Sequence, residues 1–134
     1  MASVLIDSNV LLDLFDERSE WFAWSKAAFS DVADGARLVI NAVIYAEVSV
    51  GYEHIETVDL LLPDFVSREE ISYEAAFLAG KVYRNYLKRG GTRRSPLPDF
   101  FIGAHAAVAG HRLLTRDARR YRTYFPGLQL ITPT

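Results

Sequence analysis

Val4-Leu5-Ile6-Asp7-Ser8-Asn9-Val10-Leu11-Leu12-Asp13-Leu14-Phe15 is the stretch that decides the fold. Its first three residues form a short apolar run that favours a strand. Ser8 or Asn9 then offers a helix cap, and Val10 to Phe15 continue at helical spacing, so the segment reads as strand followed by helix. Between the two stands Asp7, at the carboxyl edge of the strand. A lone charge there is costly unless it is paired, hydrogen-bonded or bound to a metal. Helix capping would account for Asp7 taken alone.

The same alternation continues downstream. From Ser19 to Asp34, Trp21, Trp24, Ala28 and Val32 fall on one helical stripe that Gly35 ends. Leu38-Val39-Ile40 reads as a second buried strand, with Asn41 capping a helix to about Gly51. His54–Leu62 reads as a helix stopped by Pro63. After the run Phe65-Val66, Ser72 caps a long helix to about Arg89, ended by Gly90-Gly91. Thr92-Arg93-Arg94-Ser95-Pro96-Leu97-Pro98 is a loop whose prolines place the next helix start near Asp99, and that helix runs to about Gly110. Arg112–Thr115 is a strand, Ala118–Phe125 a short helix and Leu128–Ile131 a final strand. Strands alternating with helices predict an α/β fold: a parallel sheet covered on both faces, with its ligand site beyond the carboxyl ends of the strands.

A chain of 134 residues, 50% of them hydrophobic, suits a single domain over residues 1–134. With no cysteine, disulfides, thiolate metal sites and thiol nucleophiles are excluded. The opening residues lack a basic start and a small-residue cleavage site, and no apolar run approaches the ~18 residues of a membrane helix. A cytoplasmic protein without a membrane partner is expected. The net charge of −2 conceals an asymmetry. Residues 1–74 hold four basic and fifteen acidic side chains, and residues 75–134 hold eleven basic and two acidic ones. Such a basic half attracts phosphate. Lys88, Arg89, Arg93, Arg94, Arg112, Arg116, Arg119, Arg120 and Arg122 supply it.

Three further carboxylates stand where charge is out of place. Glu47 lies in a helix otherwise almost free of charge, with Val43, Ile44, Val50 and Gly51 three or four residues away. Only a buried arginine partner would make it a structural residue. Asp99 begins a helix whose inward stripe is Ile102, Gly103 and Ala106, and Asp117 follows the strand Arg112–Thr115 by two residues. Each of these two would also serve as a cap. Taken together with Asp7, the four acids sit at the ends of two strands and on the inner sides of two helices, positions that converge over one sheet edge. Like charges gather there only around a counter-ion, and carboxylates without histidine or cysteine select hard cations, Mg²⁺ or Mn²⁺. His54, His105 and His111 have no partner at metal-ligand spacing and read as ordinary surface or core residues. Asp13, Asp16, Asp31 and Asp34 read as exposed helix positions.

Four strings carry a resemblance: Ile6-Asp7-Ser8-Asn9-Val10-Leu11-Leu12-Asp13, Ala46-Glu47-Val48, Pro98-Asp99-Phe100-Phe101-Ile102-Gly103-Ala104-His105-Ala106 and Leu114-Thr115-Arg116-Asp117. In order, spacing and setting the chain resembles a PIN-domain ribonuclease, in particular a toxin of the VapC type from toxin–antitoxin pairs. The resemblance implies a three-layer α/β/α sandwich, endoribonuclease activity on tRNA, rRNA or mRNA, a VapB-type antitoxin partner and a homodimer. It carries the metal-binding acids onto Asp7, Glu47, Asp99 and Asp117, and the polar helpers onto Ser8, Asn9 and Thr115.

Phosphodiester hydrolysis at neutral pH needs an activated water, which one or two divalent ions provide without a histidine base. Asp7, Asp99 and Asp117 are the expected ligands, with Glu47 ligating or orienting the water. Arg116, beside Asp117, is the expected contact to the scissile phosphate. Arg112, Arg119 and the pair Arg93-Arg94 would hold the RNA backbone. Tyr83, Tyr86, Tyr121 and Tyr124 offer rings for an unpaired base, although core packing is the commoner use of such residues. Two other readings compete. In an aspartyl-nucleophile phosphatase Asp7 would attack phosphorus, but Asn9 stands where that chemistry wants a second aspartate. In a non-catalytic interaction module the acids would bind a basic segment, and Trp21, Phe22, Trp24 and Phe29 would form a groove or simply pack the core.

Overall fold

The computed structural model describes residues 2–92 and 97–133. In chain order the elements are β1 (Ser3–Ile6), α1 (Ser8–Leu14), α2 (Phe22–Ala33), β2 (Arg37–Ile40), α3 (Ala42–Ser49) and α4 (Ile55–Leu61). They continue with β3 (Ser67–Arg68), α5 (Tyr73–Lys88), α6 (Leu97–Ala109), β4 (Arg112–Leu114), α7 (Ala118–Tyr124) and β5 (Leu130–Ile131). The five strands form one parallel sheet in the order β3-β2-β1-β4-β5.

That order carries the site. From β1 the chain steps outward to β2 and β3, then crosses back to place β4 on the other side of β1. Right-handed crossovers therefore send α1–α4 to one face and α5–α7 to the other, giving the α/β/α sandwich. The direction of winding reverses between β1 and β4, which opens a crevice beyond their carboxyl ends. Leu5 pairs with Leu113 and Ile6 with Leu114, so Asp7 and Thr115 emerge side by side. The Asp7 amide donates to the Leu114 carbonyl at 2.9 Å and holds that register past the strand end.

Local chemistry places most elements where periodicity predicts them. Asp7 itself caps α1, Asn41 caps α3 through the Ile44 amide, and Ser72 caps α5 through the Ala75 amide. Val4, Leu5 and Ile6 are wholly buried with Val39, Leu113 and Leu114, as a strand covered on both faces requires. A two-residue edge strand that the residues did not announce lies at Ser67–Arg68, just past the run Phe65-Val66, where pairing to β2 begins. Other boundaries move. Helix α2 starts at Phe22, not Ser19, and its fully buried residues are Ser25 and Phe29, with Trp24, Ala28 and Val32 flanking them. Helix α6 begins at Leu97, two residues before Asp99. Strand β5 covers only Leu130–Ile131 of the predicted Leu128–Ile131.

Among the described residues no helix is long and apolar enough to cross a membrane.

Candidate active site

The sheet crevice gathers all four predicted carboxylates. Asp7 lies deepest, 3% exposed, and Glu47, Asp99 and Asp117 are half-buried around it. Four donors hold Asp7. Oδ1 accepts from the Ser8 amide at 2.7 Å and the Ser8 hydroxyl at 3.4 Å, and Oδ2 accepts from Thr115 Oγ1 at 2.7 Å and the Tyr121 hydroxyl at 3.1 Å. The Ser8 hydroxyl also donates to Glu47 Oε1 at 2.9 Å, joining the start of α1 to α3. Among the described residues Glu47 has no ion pair, so the buried-arginine explanation for it is absent. Its helix buries Ile44 and Val48, leaving Glu47 at the edge of that stripe with its head in the crevice.

Thr115 is the hub of the opposite wall. Its hydroxyl oxygen, while donating to Asp7, accepts from Asn9 Nδ2 at 3.4 Å and from the Asp117 amide at 3.0 Å. Asn9 Oδ1 accepts from the Arg116 amide at 3.2 Å. Ser8, Asn9 and Thr115 thus shape the two loops that present Asp7 and Asp117.

The electrostatics follow from this crowding. Burial pushes the Asp7 carboxyl up to about 6, with the neighbouring Asp99 and Glu47 charges adding to the rise against the Thr115 and Ser8 hydrogen bonds. Burial and Asp99 likewise raise Glu47, despite its bond from Ser8. Asp99 is raised by burial and by Asp117, although Arg120 pulls the other way. Three mutually repelling carboxylates, all of oxygen chemistry and open to the crevice on one side, fit a hard divalent cation. The donor set has no nitrogen or sulfur to favour zinc or copper.

Several predicted roles change. Asp13 is not an exposed helix position: it is 3% exposed and accepts from Ser19 at 2.9 Å, from Ser25 at 2.6 Å, and from Arg116 through Nε at 2.7 Å and NH2 at 3.2 Å. Arg116 is therefore spent. Its guanidinium forks onto Asp13 through Nε and NH2 and lies 5.4 Å from the centre of the Trp21 ring, so those two donors serve Asp13 rather than a phosphate. Arg112 opens β4, at the opposite end of the sheet from Asp7, and lines a separate cavity of about 330 Å³ with His111 and Phe125. Arg119 is exposed on α7 and lines a cavity of about 300 Å³ beside Asp117. Arg93 and Arg94 lie outside the described residues.

Two residues near the acids were missed. Tyr121, buried to 1% exposure, delivers its hydroxyl to Asp7, and Arg120 NH1 donates to Asp99 Oδ2. The signal was present: they stand three and four residues after Asp117, one helical turn on the same face. Tyr83, Tyr86 and Tyr124 pack with Phe100 in an aromatic cluster, which makes them wall and core rather than free stacking platforms. Phe29 is buried in the core and Trp24 packs against it, whereas Trp21 meets Trp24 edge-on and Phe22 stays partly exposed.

His105 and His111 are not isolated. Both Nε2 atoms meet Glu69 Oε1, at 2.9 and 2.7 Å, in a group whose ligating atoms all lie within 4.8 Å. The hydrogen-bond directions argue against a metal there. Asn41 Oδ1 caps the Ile44 amide, so its Nδ2 must donate to His105 Nδ1, at 2.8 Å, which leaves the ring proton on Nε2 facing Glu69. The group is a hydrogen-bonded network of two buried histidines around a partly exposed Glu69, whose other oxygen meets Arg37. Burial raises the Glu69 carboxyl, but the bonds from His111 and His105 prevail and hold it at about 2.

A PIN domain profile matches residues 4–126. The chain belongs to the PIN domain family. No curated protein matches its sequence. Among solved structures, this PIN domain is similar to a chain of VapBC2 from Rickettsia felis, determined bound to a DNA fragment from its promoter. The identity is 15%, the TM-score 0.77, and the match covers 98% of this chain and 99% of that one. A toxin–antitoxin complex from Klebsiella pneumoniae is 26% identical with TM-score 0.71, covering 98% of each chain. VapC20 of Mycobacterium tuberculosis, described as a sarcin-ricin-loop-cleaving toxin, is 14% identical with TM-score 0.66, covering 97% of this chain and 99% of that one.

Proposed function

We propose that this PIN domain is a Mg²⁺- or Mn²⁺-dependent endoribonuclease, the toxin of a toxin–antitoxin pair, with Asp7, Glu47, Asp99 and Asp117 as its metal-binding and catalytic acids. The observation that carries the reading is the gathering of these acids around a buried Asp7 whose carboxyl is pushed up to about 6. Such a group awaits a cation. The similarity to VapC20, a toxin that cleaves an RNA loop, supports RNA as the substrate. The VapBC2 and Klebsiella complexes support a VapB-type antitoxin as partner. The reading includes a homodimer and a cytoplasmic location, where RNA and antitoxin would be met.

When bound, the divalent ion supplies Lewis acidity, making water nucleophilic near neutral pH and neutralising charge that develops on the phosphate. The rest is done by the chain. Asp7, Asp99 and Asp117 would hold the ion from the end of β1, from α6 and from the start of α7. Glu47, fixed by Ser8, would ligate it or accept a proton from water. Thr115 and Tyr121 fix Asp7 Oδ2, so the deepest ligand needs no reorientation. The same four donors make Asp7 a poor nucleophile, which disfavours phosphoryl transfer to its carboxylate.

Purified protein incubated with total RNA tests the reading. Cleavage should require Mg²⁺ or Mn²⁺, stop with EDTA, and vanish in Asp7→Ala and Asp99→Ala. Sequencing the new RNA ends then identifies the substrate. Intact RNA under every metal condition would leave the acids as a binding surface for a basic partner. A small reading frame immediately upstream, whose product copurifies with the chain and inhibits cleavage, is the expected antitoxin.

A further inference from the structure

We propose that Arg120 is a built-in competitor of the divalent ion, holding Asp99 until the ion takes its place and the guanidinium is released into the adjoining cavity. The inference rests on the metal reading above and deepens it. Asp117 starts α7, and Arg120 and Tyr121 follow one turn later, so a single helical face presents an acid, a cation and a hydroxyl to the crevice. Among the described residues, Arg120 is the only basic side chain in an ion pair with any of the four acids. Arg116 is bound to Asp13 and cannot substitute for it.

The pair is built to be opened. Arg120 donates to Asp99 Oδ2, an oxygen on the carboxylate facing Asp7, Glu47 and Asp117. An oxygen held by a guanidinium is an oxygen denied to a metal ion. The Arg120 side chain is 37% exposed and lines the cavity of about 300 Å³ formed with Asp117, Arg119, Thr123 and Tyr124. It therefore has a place to go. With the pair closed, only the fraction of molecules with Asp99 free can accept the ion, and the apparent metal affinity falls by that fraction. Once released, the guanidinium sits beside the ion site as the nearest mobile cation for a phosphate.

Calorimetric titration with Mn²⁺ alone, at mildly alkaline pH, compares the wild-type chain with Arg120→Gln and Arg120→Lys. Removing a half-buried charge-assisted pair should tighten Mn²⁺ binding about ten-fold in Arg120→Gln. Arg120→Lys, which keeps the charge, should stay near wild type. In the wild-type chain the Arg120 Nε–Hε NMR signal should shift as Mg²⁺ is added. Equal or weaker Mn²⁺ binding by a folded Arg120→Gln overturns the proposal and leaves the metal site standing. An Arg120 signal unmoved by saturating Mg²⁺ does the same without any variant. Absence of binding by every protein overturns both this proposal and the metal reading on which it rests.

Discussion

Asp7 combines four hydrogen-bond donors with a carboxyl raised from 3.8 to about 6, because burial and two neighbouring carboxylates outweigh those donors. Between these values the folded chain keeps a proton that the unfolded chain has released. Stability of the metal-free protein should therefore fall as pH rises through this window, by on the order of 3 kcal/mol from this group. Glu69 acts in the opposite sense: its carboxyl is lowered from 4.5 to about 2, so it adds stability as pH rises through that lower range. Urea unfolding against pH in EDTA should show a maximum in acid. Asp7→Asn should remove most of the decline above it, and saturating Mg²⁺ should flatten it, since the ion binds the ionised form. Tyr121→Phe keeps the packed ring and deletes only the hydroxyl on Asp7. It should lower Mn²⁺ affinity or cleavage about ten-fold, with an unchanged unfolding midpoint as the control. Asp13→Ala is a different kind of change. It strips Arg116, Ser19 and Ser25 of a shared partner and should cost about 3 kcal/mol in urea unfolding.

At the scale of elements, the site depends on how α6 and α7 meet the sheet. Gly103 on α6 lies directly under the buried Phe125 ring that follows α7, and a Cβ there would come within 2.4 Å of that ring. Gly103→Ala should therefore cost ~1–3 kcal/mol in thermal or urea unfolding, through displacement of Phe125. Because Asp99 is one turn earlier on α6 and Tyr121 one turn before Phe125, the variant should also weaken metal binding without touching a ligand. These elements were largely legible in the residues. Strand, cap and helix around Asp7 followed from a short apolar run and a capping side chain, both local properties. Asp13 was not legible. Its position on an apparently solvent-facing turn of α1 is overruled by Ser25 and Arg116, which come from 12 and 103 residues away. Charge at helical spacing cannot reveal a partner so distant in the chain.

For the molecule as a whole, the uneven charge along the chain becomes an uneven distribution between layers. The acidic first part forms α1–α4 on one face, and the basic last part contributes α5–α7 on the other, with the crevice opening between them. Under the ribonuclease reading, the basic layer draws RNA toward the carboxylates. Arg119→Ala should weaken RNA binding uniformly across sequences and reduce the slope of log affinity against log salt by about 0.7, as for one lost single-strand phosphate contact. An unchanged slope would remove Arg119 from the binding face. By itself the sequence determined the alternation of strands and helices and the oxygen-only chemistry of the four candidate acids, because periodicity, caps and residue chemistry act over a few residues. Only the tertiary structure decided which cations are free and which are spent: Arg116 went to Asp13 and Arg120 to Asp99. The physical reason is that ion pairing depends on distance in space, which the reversal of strand order between β1 and β4 sets and no local pattern encodes.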